Sequence, residues 1–240
     1  MNSLTLSQKM NKTLFITILV LFALTYLGPL YVMLTTSFKG IEEIRNGNIL
    51  ALPQSLDISA WAKAWSSACT GGDCFGLAPY FWNSMRIVIP ALVISTAVGA
   101  LNGYVLSQWQ FKGSNFTTLF FRNYYVGIPN ELVRAAKLDG AGFFSIFRHI
   151  FLPLSTPIIV VSIIWQFTQI WNDFLFGVVY SGPGTQPITV ALNNLVNTTM
   201  GGKEYNVDMA AAVIAALPTL VVYVVAGKYF VRGLTAAVKG

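Results

Sequence analysis

The chain has 240 residues, of which 55% are hydrophobic and only 10% are charged, with a formal net charge of +6. That composition excludes a disordered chain and argues for a polytopic membrane protein. The excess of basic residues is not gathered into one tract, so leaflet surfaces and a cytosolic partner account for it and nucleic acid does not.

Four apolar runs are long enough to cross a hydrocarbon core of about 30 Å. They cover residues 14–36, 84–106, 154–180 and 209–231. The first is too long for the core of a signal peptide and lacks a small-residue cleavage site, so it is expected to stay as an anchor. The loop that follows, 37–83, holds the only two cysteines, Cys69 and Cys74, in the Gly-rich run Cys-Thr-Gly-Gly-Asp-Cys. An oxidising face allows a disulfide between them, with free thiols as the alternative. A metal site would need further ligands, and none sit nearby. The second run contains Gly99 and Gly103, a small-xxx-small pair that points to close helix packing.

Residues 107–153 are polar and basic in an otherwise apolar chain. Asn130 follows Pro129 where a helix N-cap should stand, and Gly140 sits where that helix would stop. Leu132, Ala135, Ala136 and Leu138 are expected to form one apolar face, and Arg134, Lys137 and Arg148 to be exposed. A second short helix is expected through Phe143, Phe144, Phe147, Ile150 and Phe151, ended by Pro153. The simplest use of such a helix–turn–helix against a membrane is to fit a groove on a partner. The alternative is an interfacial amphipathic helix. His149, the sole histidine, reads as a solvated interface residue.

The third run carries Gln166, Gln169 and Asp173 at i, i+3 and i+7, with Asn172 beside them. Polar groups in a span face protein or a wet cavity. The stripe is expected either to line a translocation path, with Trp165, Trp171 and Phe174 offering ring faces, or to bond helices together. The loop 181–208 is rich in Gly, Asn and Thr and reads as exposed. Lys9, Lys12, Lys112, Arg122, Arg134, Lys137, Arg148, Lys228, Arg232 and Lys239 fall on one side of the implied topology, opposed only by Glu131 and Asp139. Glu42, Glu43, Asp57, Asp73, Glu204 and Asp208 fall on the other. The positive-inside rule puts both termini and 107–153 in the cytoplasm, and 37–83 and 181–208 outside.

At Ala135-Ala136, Gly140 and Ile150-Phe151-Leu152-Pro153 the chain resembles the permease subunit of ATP-binding-cassette importers. Leu138-Asp139-Gly140-Ala141 resembles the carbohydrate-uptake branch, like the second permease of maltose-type systems. The likeness is specific over residues 121–176 and returns at Arg232-Gly233-Leu234-Thr235 and Val238-Lys239-Gly240. It departs at Arg134, where the family usually has Glu; Glu131 lies one turn earlier. The resemblance implies an all-α membrane protein, a single polytopic helical bundle over 1–240 in the inner membrane of a prokaryote. The coupling residues would be Glu131, Arg134, Ala135, Ala136, Asp139, Gly140, Ile150, Leu152 and Pro153. Gln166, Gln169, Asn172 and Asp173 would line the path. Implied partners are a second permease subunit, an ATPase dimer, an extracytoplasmic sugar-binding protein and the lipid bilayer.

The chain has no phosphate loop and no catalytic cluster. The expectation is therefore no enzyme activity and no cofactor in this chain, with ATP and Mg bound by the partner ATPase. The tail Thr235–Gly240 would enter the ATPase interface, and the loop 181–208 would reach the sugar-binding protein. Relatives of this branch usually have six spans and this chain reads as four. A two-span hairpin of about forty residues is missing between Gly113 and Phe120. The resemblance, including the Cys-bearing loop, leans toward glucose- or mannose-type uptake. Other readings are an ion-driven secondary transporter, for which the spans offer almost no ionisable relay beyond Asp173, and a shortened permease that inserts without transporting.

Overall fold

A computed structural model describes residues 6–108, 116–198 and 202–238, with side chains over 12–107, 118–198 and 202–227. The junction Phe111–Asn115 and the last two residues, Lys239 and Gly240, lie outside the described residues. Every regular element among the described residues is helical. Twelve α-helices follow in order: α1 (Leu6–Ser37), α2 (Ile41–Asn46), α3 (Ser59–Ser66), α4 (Ala78–Gln108), α5 (Phe116–Val126), α6 (Asn130–Leu138), α7 (Phe143–Ile146), α8 (Leu152–Leu154), α9 (Thr156–Trp171), α10 (Leu175–Tyr180), α11 (Ile188–Asn197) and α12 (Tyr205–Val238). A π-helical turn, Phe147–Phe151, joins α7 to α8.

Three of these helices are long and apolar enough to cross a membrane: Lys12–Ser37, Ala78–Ser107 and Tyr205–Gly227. The third apolar run does not form one straight span. It divides into Phe143–Leu154 and Thr156–Trp171, bent by 75° at Ser155, and stops at Trp171 before restarting as α10. Among the described residues there are thus three single-helix candidate spans, and a fourth only if the bent pair counts as one. This is shorter than the usual six.

The chain divides into two compact units. One comprises the residues up to Ala78 together with Ala191–Ala215. In it α1 is apolar all round, and every residue from Lys12 to Leu27 is exposed. A helix without a polar face is one made for lipid or for other helices. Its hydroxyls stay satisfied inside the helix: Thr17 and Thr25 donate to the carbonyls of Thr13 (3.0 Å) and Leu21 (2.9 Å). The core of this unit lies beyond the end of α1. Ser37 and Lys39 are buried there, Phe38 stacks on Trp61 at 5.2 Å, and Asn206 donates to the Lys39 carbonyl at 3.2 Å. The sulfurs of Cys69 and Cys74 are bonded, and the Thr70 amide donates to the Asp73 carbonyl within the small loop they close, at 2.8 Å.

The other unit comprises Pro79–Val190 with Ala216–Gly240. Its core is Ala100 and Tyr104 of α4, Phe121 and Tyr125 of α5, Val133 of α6, Ile146 of α7 and Phe151 of the π turn. Gly103 makes the α4–α5 contact possible. A Cβ there would stand 2.4 Å from the Phe121 Cβ and 3.0 Å from the Arg122 amide nitrogen. Both atoms belong to the rigid part of α5, so a side chain would force the helices apart.

Gly103→Ala should therefore destabilise the protein by about 1–3 kcal/mol, the usual range for overpacking. Gly28→Ala is the matched control. A Cβ at Gly28 meets nothing within 4 Å, and alanine gains helix propensity. Thermal melting in detergent should fall for the first and hold or rise for the second. Equal melting would show that α5 gives way freely.

Candidate functional site

The segment from Pro129 to Trp171 is built as a platform, a turn and an elbow. α6 begins at Asn130 itself, with Pro129 as the residue before the helix and no side-chain cap. Asn130 is thus the first helical residue and not the cap. The Leu132 amide donates to the Pro129 carbonyl at 3.3 Å, and Glu131 in the first turn complements the helix dipole.

The apolar face of α6 differs from the expected one. Val133 is buried and Ala136 packs on the core, whereas Leu138 is 89% exposed and Leu132 is 46% exposed. Spacing alone allows either stripe. The aromatic core selects the small pair Val133 and Ala136, because these let α6 lie close to α4 and α5. Glu131, Arg134, Ala135 and Leu138 are left together on the outer side, at i, i+3, i+4 and i+7. The exposed stripe therefore mixes an acid, a base and two apolar groups.

α6 ends in a Schellman turn. The Gly140 amide donates to the Lys137 carbonyl at 3.1 Å and the Ala141 amide to the Ala136 carbonyl at 2.9 Å. Gly140 has φ of 82°, a conformation that glycine adopts without a Cβ penalty. Asp139 and Gly140 are exposed, and Ala141 packs back on the core.

Beyond the turn, Tyr104 gathers three phenylalanines: ring centroids lie 4.6 Å from Phe143, 5.2 Å from Phe147 and 4.6 Å from Phe151. Its hydroxyl donates to the Phe143 carbonyl at 3.3 Å. Phe144, expected within the same helix, is 73% exposed. Ile150 is half-buried against the core, while Leu152 and Pro153 are exposed. Pro153 does not end the second helix. It stands inside α8, in the first turn after the π turn, where a missing N–H costs least. His149 is exposed, and its Nδ1 donates to the Ser145 carbonyl at 2.9 Å.

The chain bends at Ser155, and a bend this sharp opens backbone carbonyls. Each finds a hydroxyl. Thr156 donates to the Pro153 carbonyl at 3.1 Å, and Tyr124 of α5 donates to the Leu154 carbonyl at 2.8 Å. Ser155 Oγ bonds the Phe151 carbonyl and lies 2.8 Å from the Tyr125 hydroxyl. A serine hydroxyl has one proton and a carbonyl only accepts, so Tyr125 donates to Ser155 and Ser155 donates to Phe151. Burial pushes the Tyr125 phenol up from its ordinary range, opposed by the Ser155 bond, so the donor keeps its proton.

The polar stripe expected in the third run is broken. Gln166 is buried, and its Nε2 donates to Ser162 at 2.8 Å and Thr96 at 3.4 Å. Gln169 is exposed. Asn172 is exposed and donates back to the Thr168 carbonyl at 2.9 Å. Asp173 lies past the end of α9, where its Oδ1 accepts from the Phe176 amide at 3.1 Å. The helix stops because Asn172 and Asp173 offer the backbone side-chain partners in place of the next turn. Trp171 is core, with ring centroids 5.7 Å from Phe167 and 5.5 Å from Phe81; Trp165 and Phe174 are partly exposed.

Residues 12–235 match the family of binding-protein-dependent transport system inner membrane components. The chain belongs to that family. A probable ABC transporter permease protein of Pyrococcus horikoshii is 46% identical over 159 residues, covering 64% of this chain and 57% of its own. The Haloferax volcanii xylose/arabinose import permease protein is 42% identical over 51% of this chain and 40% of its own length. The chain thus spans about half the length of these two relatives. An inner membrane ABC transporter permease protein of Escherichia coli is 26% identical over 92% of this chain and 94% of its own. That match runs over 273 positions but takes in 92% of 240 residues, about 221, which leaves about fifty positions of the relative opposite a gap. In fold, the crystal structure of a bacterial ABC transporter that imports the acidic polysaccharide alginate superposes with a TM-score of 0.83, covering 96% of this chain and all of the other, at 18% identity.

Within this permease the elbow bonds set an asymmetry. Tyr125→Phe removes a donor and leaves Ser155 bonded to Phe151, at a cost of about 1 kcal/mol. Ser155→Ala strands the buried Tyr125 hydroxyl and should cost about 1–3 kcal/mol. The double variant should recover part of the second loss. Melting in detergent checks the order, and a larger loss for Tyr125→Phe would overturn the assigned direction of the bond.

Proposed function

We propose that this permease is a membrane-spanning subunit of an ATP-driven sugar importer, and that the α6 turn couples it to a separate ATPase. The observation that carries the reading is the two-faced α6. Its inner face, Val133 and Ala136, rests on the aromatic core, while Glu131, Arg134, Ala135 and Leu138 stand free beside a glycine-built turn. A short helix held rigidly from below and bare above suits a groove on a partner. A push on it passes through Tyr104 and the π turn to the elbow at Ser155.

In this proposal ATP and Mg belong to the partner ATPase dimer, and no chemistry falls to this chain. ATP binding closes the dimer and shifts α6, and the permease passes between inward- and outward-facing states. A second permease completes the path, and an extracytoplasmic binding protein delivers the sugar against the 181–208 loop. Both termini lie in the cytoplasm of a cell with this inner membrane, by the charge asymmetry of the loops. Thr235–Gly240 reaches the ATPase. Glu131, Arg134, Ala135, Ala136, Asp139, Gly140, Ile150, Leu152 and Pro153 form or support the coupling surface. Gln169 and Asn172, being exposed, are the better candidates for the path, and Gln166 and Asp173 shape it. The likeness to a glucose import system permease protein of Saccharolobus solfataricus, 26% identical over 91% of this chain, supports a sugar substrate. A glucose- or mannose-type sugar is the specific reading.

Gly140→Val tests the coupling. A β-branched residue at φ of 82° is strained by roughly 1–2 kcal/mol, enough to disorder a surface turn. The variant should insert normally and lose the ATPase in a pull-down of the co-expressed complex. Arg134→Glu should weaken the same assembly, and the wild-type assembly should weaken with salt, since exposed charge contacts are screened. Full ATPase retention and sugar-stimulated hydrolysis with Gly140→Val would overturn the assignment.

A second reading rests on the missing positions. Each remaining helix satisfies its own backbone, so the chain inserts. The lost pair would have supplied packing and path walls. In proteoliposomes with partner permease and ATPase, ATP-dependent uptake should be low, and a two-span hairpin restored between Ser114 and Thr117 should raise it. Full uptake by the chain as it stands would show that its spans suffice.

A further inference from the structure

We propose that the outer half of α9 reads the sugar through Trp165, Gln169 and Asn172, and that the sugar it fits is a neutral ring with an apolar face. This rests on the importer reading above and names the substrate class of its path. The three residues stand at i, i+4 and i+7, on one stripe of the helix. All three are exposed, Trp165 by 41%. One turn earlier on the same stripe, Val161 and Ser162 are buried, and Ile158 packs on the aromatic core. The stripe is thus covered toward Ser155 and bare toward Trp171.

Lipid does not suit the bare half. The Gln169 carboxamide has no partner among the described residues, and Asn172 spends only its Nδ2, on the Thr168 carbonyl at 2.9 Å. Open polar groups in a span are costly against hydrocarbon and belong beside a wet cavity or protein. The helix also breaks here: it stops at Trp171 and restarts as α10 at Leu175, inside the apolar run 154–180. Broken backbone at membrane depth is held in protein or lines water. A packed helix does not suit the stripe either. Seams between membrane helices are built from small residues that let backbones close. The covered half of α9 has one, Ser162, which accepts from Gln166; the bare half sets a tryptophan and two carboxamides there instead. A sugar answers all three groups. Its ring C–H groups stack on an aromatic face, and carboxamides both donate to and accept from hydroxyls. Charge sets the class. Asp173 is the one charged residue from Thr156 to Tyr180. Arg86 is the one charge of the crossing stretch Ala78–Ser107, and it lies about 140° round α4 from Phe81, the residue that meets Trp171. An acidic sugar would meet a carboxylate beside this stripe and no cation on it.

The test uses the assembled transporter with its binding protein in lipid nanodiscs, which leave both faces open to water. The native cysteines are bonded to each other, so Gln169→Cys and Asn172→Cys each react alone. A charged methanethiosulfonate should modify both. At least one of D-glucose, D-mannose and D-xylose should slow the reaction about threefold when present at twice its dissociation constant, and D-glucuronate should leave it unchanged. In the Asn172→Cys background, Trp165→Leu should remove the slowing and Trp165→Phe should keep most of it. No reaction at either position means that another helix covers the stripe and overturns the proposal. So does a reaction that no sugar slows, or one that glucuronate slows as much as the neutral sugars do. Co-purification of the ATPase on the same nanodiscs separates the failures. A bound ATPase with unprotected thiols counts against this inference alone, and an absent ATPase overturns the importer reading and this inference with it.

Discussion

Hydrocarbon offers backbone groups no partner, and at several places among the described residues side-chain polar groups and backbone groups satisfy one another. Thr17 and Thr25 return their hydroxyls to their own helix. At the elbow, the carbonyls of Phe151, Pro153 and Leu154 are met by Ser155, Thr156 and Tyr124. In the loop after α2, Lys39 and Tyr31 take the carbonyls of Asn48, Ile49 and Leu50. Gln166 spends its amide on Ser162 and Thr96. Residues that look functional in a list of polar positions are often doing this work, which is why a buried polar residue in a span is weak support for a path.

The same constraint explains how a 75° bend can be stable at Ser155, close in sequence to the α6 turn. A π turn widens the helix before the bend, and two prolines, Pro153 and Pro157, remove the amides that a straight helix would require. The Pro153 carbonyl, which Pro157 leaves without an amide, is met by Thr156, and α5 reaches across thirty positions of sequence to hold the elbow, Tyr124 on the Leu154 carbonyl and Tyr125 on the Ser155 hydroxyl. The described part of α5 has eleven residues, shorter than the roughly 20 that cross a hydrocarbon core. Its role is to brace the elbow from one side while Gly103 brings it against α4.

Much of this was legible beforehand. The alternation of apolar runs and charged loops marked α1, α4 and α12, and Ala135-Ala136 with Gly140 marked α6 and its turn. These signals are local: length, charge sign and a glycine at a helix end. What escaped was set by tertiary contact. Whether Val133 or Leu132 faces inward depends on where Tyr104 and Phe121 lie, and periodicity over nine residues does not choose. The break at Asn172 escaped because Trp, Asn and Asp continue an apolar run acceptably in composition, while their side chains compete for the backbone. From sequence Pro153 reads as a stop because a proline ends a helix that has already begun; the π turn lets a new start precede it. The elbow tyrosines could have been suspected from the pair Tyr124-Tyr125 in a short segment facing two prolines, though only geometry assigns their partners.

The two faces of α6 place opposite demands on substitution. Inward, Val133 and Ala136 answer to packing density, where one added methylene is felt through the aromatic cluster. Outward, Arg134 and Leu138 are exposed and contribute little to the fold, so most changes there leave stability within about 0.5 kcal/mol. Arg134 stands where the resemblance to importer permeases implies an acid, one turn after Glu131, so the outer stripe carries both signs of charge. Exposed charges act over a Debye length of about 8 Å at physiological salt, so under the proposed coupling the sign at this turn would bear on which ATPase docks, while Val133 and Ala136 beneath it answer only to the core.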